Sequence, residues 1–226
     1  MKYKIDQYKQ LNALPGEILL VCAATGISAF AAGGATLHKI FKLNFTNPNS
    51  FYLRLQKKDV NNARVKQNFA RIIFIIIEEY SLVGIRYIRY VDEFLKKVCP
   101  DMAHLPFAGK HLYFVGDEHQ LPPVLDVPIY YPLDKLESSL KPLAQFYRDI
   151  KKIYKLTEPK RQNIQDPQQA AYNEFLKRLR HDCCTPEDVQ NIRSRRKCML
   201  PAHVVKTFEY ATHVFPWNKD VNKHNK

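Results

Sequence analysis

The longest unbroken hydrophobic run in the chain is Ile72-Ile73-Phe74-Ile75-Ile76-Ile77. A run apolar at every position buries both faces, as a central strand of a parallel sheet does. It is far short of the roughly 20 apolar residues a membrane span needs. Ile18–Ala23 and His111–Val115 are two further short apolar runs that predict strands. Between the second and third strand, Ile85, Ile88, Val91, Leu95 and Val98 recur at helical spacing, which predicts an amphipathic helix over Val83–Val98. A small helix is expected from Ala24-Thr25-Gly26, and another from Leu37 to Leu43. Asn44 to Lys58 is polar and reads as irregular. Leu121 to Pro132 holds four prolines and predicts an extended loop.

Further along, the pattern predicts a helix over Pro142–Ile150 and a strand over Ile153–Leu156. A second amphipathic helix is expected over Pro167–Arg180, with Ala171, Phe175 and Leu179 on one face. Thr185-Pro186-Glu187-Asp188 is a helix start, with a hydroxyl cap, proline in the first turn and acids behind it. Alternating strands and helices predict an α/β fold with a mainly parallel sheet.

Length and composition narrow this picture. A chain of 226 residues has room for one domain of ordinary size, or for one domain plus part of a second. Its five cysteines are an odd number without framework spacing, so reduced thiols and an intracellular setting are expected. MKYKIDQYKQ at the start has no apolar stretch behind it, so no signal peptide is expected. Thirty-five lysines and arginines against 22 acids give a net charge of +13. That excess suits a polyanionic partner such as nucleic acid; a basic protein with no such partner is the competing reading. The seven glycines form neither GxGxxG nor GxxxxGK[ST], so both common nucleotide loops are absent from this stretch.

The acids, by contrast, are placed where chemistry is done. Ile72–Ile77 runs directly into Glu78-Glu79, and carboxylates at the C-terminal end of a buried parallel strand lie where α/β sheets bind ligands. Such a pair is suited to holding a metal ion and polarising a water beside a phosphate. The competing reading is a solvated strand end. Leu112–Val115 likewise runs into Gly116-Asp117-Glu118-His119-Gln120, followed by Leu121-Pro122-Pro123-Val124. Gln120 can set an amide against a phosphate oxygen or water, and the prolines stiffen the loop that leaves the site. His181, Cys183, Cys184, Cys198 and His203 fit no usual zinc spacing. Arg193–Lys197 is a basic run that reads as a phosphate contact, a localisation signal or a solvated helix end. Phe215 and Trp217 are expected in the core of a strand, with stacking on a nucleic-acid base as the competing reading.

Taken together these strings resemble the Pif-one (petite integration frequency) DNA helicases and their RecD-like relatives, in helicase superfamily one. GDEHQLPPV is similar to the family's GDxxQLPPV, and IIFIIIEEYSLVG to its metal-binding hhhhDEhSMV. CAATGISAFAAGGATLHKIFKL resembles its first single-strand DNA motif, and LTEPKRQ its LTxxxRQ. FLKRLRHDCCTPEDV and THVFPWNKDVNKHN resemble the segments that follow, all in the family's order and closest to the Helitron-transposon branch.

The resemblance implies a RecA-like P-loop NTPase fold with a mainly parallel sheet: a partial first domain over 1–156, without its phosphate loop, then connecting helices and the start of a second over 157–226. It implies an ATP-dependent 5′-to-3′ DNA helicase using ATP and Mg²⁺, acting on single-stranded and forked DNA in telomere maintenance, DNA repair and recombination. It implies a nuclear or mitochondrial location and no membrane partner, and it leaves the oligomeric state open. In catalysis it implies Glu79 as the group polarising water, Gln120 as the γ-phosphate sensor and Arg161 as the arginine finger. Glu78, helped by Glu79, would hold Mg²⁺, with Asp117 supporting the site. Glu78, Asp117, Gln120 and Arg161 would together bind the nucleotide. Thr25, Gly26 and His38 would touch DNA, with Gly33, Gly34 and Thr36 in the same element.

The chain departs from the family pattern at several points. Glu78 replaces an aspartate, which lengthens the metal-binding side chain. Ala24 replaces proline or serine, and Lys160 replaces an apolar residue before Arg161. The phosphate loop expected before Ile18 is not found within residues 1–17, which hold one glycine and no GKT or GKS. Two readings therefore stand: a piece of a working helicase, or a catalytically dead transposon remnant that at most binds DNA.

Overall fold

The computed structural model describes Gln10 and residues 17–42, 57–160 and 162–225. The chain divides into two compact units, Met1–Tyr154 and Lys155–Lys226.

In the first unit four strands form one sheet: β1 (Leu19–Ala23), β2 (Ala35–Thr36), β3 (Phe74–Glu78) and β4 (His111–Val115). All pairings are parallel and the order is β2-β1-β3-β4. The alternation read from the sequence is therefore borne out. The helices are α1 (Gly26–Ala31), α2 (Leu37–Ile40), α3 (Lys57–Val60), α4 (Ala63–Arg71), α5 (Ile85–Val98) and α6 (Lys141–Arg148). Residues 44–56 of the stretch expected to be irregular lie outside the described residues, and Lys57 and Lys58 begin α3.

β3 begins two residues later than the apolar run. Ile72 closes α4, its N–H reaching Phe69 O at 3.2 Å, and Ile73 donates to Ile18 O at 2.9 Å. The first two isoleucines are thus spent leaving a helix and joining β1. α4 starts where Asn62 Oδ1 accepts from the Arg64 and Val65 amides at 3.0 and 3.2 Å.

The two faces of the sheet differ. Cys22, Ile75 and Ile77 point to a closed core with Ile85, Ile88, Val91 and Leu95 of α5. Phe41, Phe69 and Phe94 fill it, with Phe94 edge-on to both others at ring distances of 5.5 and 5.2 Å. The opposite face carries Leu19, Val21, Ile76 and Glu78, which line a hollow of about 480 Å³ beside the Gly33-Gly34 turn. Gly34 is needed there, because a Cβ on it would stand 2.2 Å from Val21 O.

The second unit contains α7 (Pro167–Arg180), α8 (Pro186–Ser194), α9 (Ala202–Thr207) and α10 (Asn218–His224). The helix start read at Thr185 is a complete capping box with Asp188. Asp188 also takes a two-pronged contact from Arg178, 2.7 Å on each side, which ties α7 to α8.

Two strand expectations fail. Among the described residues no strand forms over 153–156 or anywhere in the second unit. Ile153, Tyr154 and Leu156 are 85%, 86% and 96% exposed, because no neighbouring strand there takes their N–H and C=O groups. Trp217 is an exposed helix cap, and Phe215 lies against His213 and His224 rather than in a strand. Among the described residues no helix is long and apolar enough to cross a membrane.

Candidate active site at the strand ends

Parallel strands bring their C-terminal ends to one edge, and here register aligns them. Ala23, Glu78 and Val115 are cross-strand partners, so the turns at Ala24–Gly26, Glu79-Tyr80 and Gly116–Glu118 leave the sheet side by side. Glu78, Glu79, Asp117 and Gln120 are thereby brought to one edge, next to Thr25 and Gly26.

Glu79, directly after β3, is in the left-handed region, φ 53° and ψ 45°. A non-glycine residue costs roughly 1–2 kcal/mol in that conformation, and strain of this kind concentrates at functional sites. Gly116 accommodates the turn: a Cβ on it would meet Tyr80 N and Cδ1 at 3.0 Å. Glu78 is half-buried, and burial first, then the charge of Glu79, pushes its carboxyl above the usual range. A cation beside it would favour the charged carboxylate and so oppose both effects.

The turn after β4 is self-braced. Asp117 Oδ1 accepts from the His119 amide at 3.0 Å, and Asp117 O accepts from the Gln120 amide at 3.0 Å. The Gln120 side chain stays exposed. Thr25 caps α1, its Oγ1 taking the Ser28 amide at 3.2 Å. A Cβ on Gly26 would meet nothing, so its backbone is open to approach.

His38 is on α2, edge-on to Tyr87 of α5 at 5.4 Å, and burial lowers its pKa. That is packing of α2 against α5. Arg161 lies outside the described residues.

Among the described residues no group of three or more His, Cys, Asp or Glu side chains is placed to hold a metal. This covers the Cys/His set of the second unit. It also limits Glu78 and Glu79 to part of a coordination shell. Mg²⁺ is commonly held in that way, by one or two carboxylates with phosphates and waters completing it, so the residues fit the ion as partial ligands.

The motif strings left unmarked a network at the same edge. Tyr80 Oη donates to Glu118 Oε1 at 2.7 Å and Tyr147 Oη to the same oxygen at 2.5 Å. No periodicity announces it, since three distant segments supply its members. Ser81, fully buried beside it, has a hydroxyl with no hydrogen-bond partner among the described residues.

Parallel strands with acids gathered at their C-terminal ends define an α/β domain of the kind that binds ligands at its strand ends. The family model described as PIF1-like helicase matches residues 8–186, and the chain belongs to that family. It is similar to the ATP-dependent DNA helicase PIF1 of Saccharomyces cerevisiae (strain YJM789), 24% identical over 200 residues, covering 83% of this chain and 23% of that protein. Among solved structures it resembles the Pif1 helicase from Candida albicans, with a TM-score of 0.64, 24% identity and coverage of 98% of this chain and 45% of that one. It also resembles Bacteroides Pif1 bound to ssDNA, with a TM-score of 0.56, 26% identity and coverage of 80% and 41%. The chain thus spans about a quarter of that curated relative and less than half of these two solved chains.

Proposed function

We propose that the chain is part of an ATP-dependent DNA helicase that moves 5′ to 3′ along single-stranded DNA, with family roles in telomere maintenance, repair and recombination. The observation that carries this is the gathering of Glu78, Glu79, Asp117 and Gln120 at one sheet edge in a chain of the PIF1-like helicase family. In this reading Glu79 polarises the attacking water and Gln120 senses the γ-phosphate. Glu78 supplies a carboxylate to Mg²⁺, which when bound neutralises phosphate charge. Asp117 braces the Gln120 turn, and Arg161 stabilises charge in phosphoryl transfer. Thr25 and Gly26 offer amides and a hydroxyl to a phosphate of the DNA backbone, with His38 supporting the same element. A relative of this chain is bound to ssDNA, and the net charge of +13 suits the same polyanion.

We read 1–156 as part of the first RecA-like domain and 157–226 as connecting helices leading into a second. The sheet supports a preceding strand–loop–helix unit that carries the phosphate loop. The outer edge of β4 pairs with no strand among the described residues, and Val115 on it is 38% exposed. All-parallel sheets are covered on both faces. A strand added outside β4 would reach β1 by crossing the sheet in the same direction as the β1–α1–β2 connection. Right-handed crossover then lays its helix on the Leu19, Val21 and Ile76 face, over the hollow.

The test compares this chain with a version extended through the upstream reading frame, titrating a fluorescent ATP analogue with Mg²⁺. Saturable micromolar binding is expected only for the extended chain, and Glu79→Gln is expected to abolish its DNA-stimulated ATP hydrolysis. Micromolar binding by the 226-residue chain alone would place the phosphate site inside it and overturn this reading.

A further inference from the structure

Tyr80 follows directly on Glu79, and Glu118 follows directly on Asp117. Their side chains meet: Tyr80 Oη lies 2.7 Å from Glu118 Oε1. Tyr147, in the last turn of α6, reaches the same oxygen at 2.5 Å, and the two phenol oxygens are 2.8 Å apart. Two phenols carry two protons. With both given to one carboxylate oxygen, the charge of Glu118 is held in place by two charge-assisted bonds.

The surroundings reinforce this arrangement. The rings of Tyr80, Phe114 and Tyr147 pack at 5.7 to 5.9 Å. Tyr130 Oη reaches Glu118 O at 3.5 Å, and Arg148, next to Tyr147, donates to the carbonyls of Tyr130 and Tyr131 at 3.3 and 2.7 Å. The last turn of α6 therefore grips both ends of the loop that runs from Asp117 to Tyr131. Glu118 falls on a free position of GDxxQLPPV, and Tyr80 on a position of hhhhDEhSMV specified only as hydrophobic. The network is a property of this chain that the motif does not demand.

We propose that Glu118 and Tyr147 are positioning residues: with Tyr80 they set the spacing between the Glu78-Glu79 turn and the Asp117–Gln120 turn. The proposal rests on reading those turns as the nucleotide site. Its physical content, a brace between two turns, is measurable with no nucleotide present.

Tyr147→Phe removes one of the two phenol bonds and Glu118→Gln the charge that strengthens both, while ring packing and shape are kept. Amide hydrogen exchange of the full chain at His119 and Gln120 reads the turn, since both amides donate to Asp117. Exchange there is expected to rise about tenfold or more in both variants, with the Ile75–Ile77 ladder unchanged. A spectroscopic signature accompanies it. Burial first, and then the bond to Glu118, push the Tyr147 phenol up to about 12. In Glu118→Gln one tyrosinate absorbance step should appear at lower pH, and adding Tyr147→Phe should remove that step. Unchanged exchange at His119 and Gln120, or an equal rise in the β3 ladder, would overturn the brace whatever the chain does with nucleotide. The nucleotide reading fails separately, if the extended wild-type chain shows no exchange change at Glu79 and Gln120 on adding ATP analogue and Mg²⁺.

Discussion

The backbone of Gly84 lies against the carboxylate of Asp126 so closely that a Cβ at position 84 would stand 2.0 Å from Oδ2. That carboxylate is buried, and it holds the Arg86 guanidinium at 2.9 Å, the Arg86 amide at 3.1 Å and the Val127 amide at 2.8 Å. Gly84 opens α5, so the contact joins the segment after Glu79 to the middle of the proline-rich loop. Gly84→Ala must drive Asp126 out of this pocket. Dismantling a buried, hydrogen-bonded charge costs about 3 kcal/mol or more. Urea denaturation should show a loss of that size, and Asp126→Ala a comparable one.

Ser81 predicts the opposite sign. Its hydroxyl is fully buried without a hydrogen-bond partner among the described residues. A buried polar group left unpaired costs about 1–3 kcal/mol. Ser81→Ala should therefore leave stability unchanged or raise it by about 1 kcal/mol in the absence of ligands. A loss above that amount would mean the hydroxyl is satisfied in solution.

Cys22 should be inert. Its thiol donates to Ile76 O at 3.2 Å, and burial pushes its pKa up to about 12. Disulfide reagents at pH 8 should label the exposed Cys183 and Cys198 and leave Cys22 untouched. Because the folded value lies above the unfolded one, the contribution of the thiol to stability is complete below the unfolded value. It is lost as pH rises from about 9 towards 12. Cys22→Ala should flatten the alkaline limb of the stability curve.

Glu78 titrates in the same sense at lower pH. Its carboxyl is raised by burial and by Glu79, so the folded chain holds that proton more tightly than the unfolded one. Stability present at acid pH is lost as pH rises above the ordinary glutamate range. Glu78→Gln should remove this slope. With Mg²⁺ at ten times its dissociation constant, wild type should gain about 1.4 kcal/mol and Glu78→Gln less. Equal Mg²⁺ effects in the two proteins would argue against Glu78 as a ligand.

Much of this edge was legible along the chain because local chemistry decided it. The isoleucine run had to be a buried strand, and the two glutamates at its end had to emerge at the sheet's C-terminal edge. The Thr185–Asp188 cap formed where the residues called for it, since all its partners lie within one helical turn. The two failed strands, at Ile153–Leu156 and around Trp217, show the converse. Strand formation needs a neighbour, and β-prone residues supply none by themselves.

By itself, the sequence determined the periodicities, the charge and the motif order, and hence a parallel α/β fold with acids at its strand ends. Tertiary structure alone decided that Tyr80, Glu118 and Tyr147 share one carboxylate oxygen, that Asp126 fills the space of a missing Cβ, and that one face of the sheet is closed while the other keeps a hollow. These relationships join residues 29 to 67 positions apart. No local rule of spacing reaches that far, and only the register of the strands and the packing of the helices brings such groups within hydrogen-bonding distance.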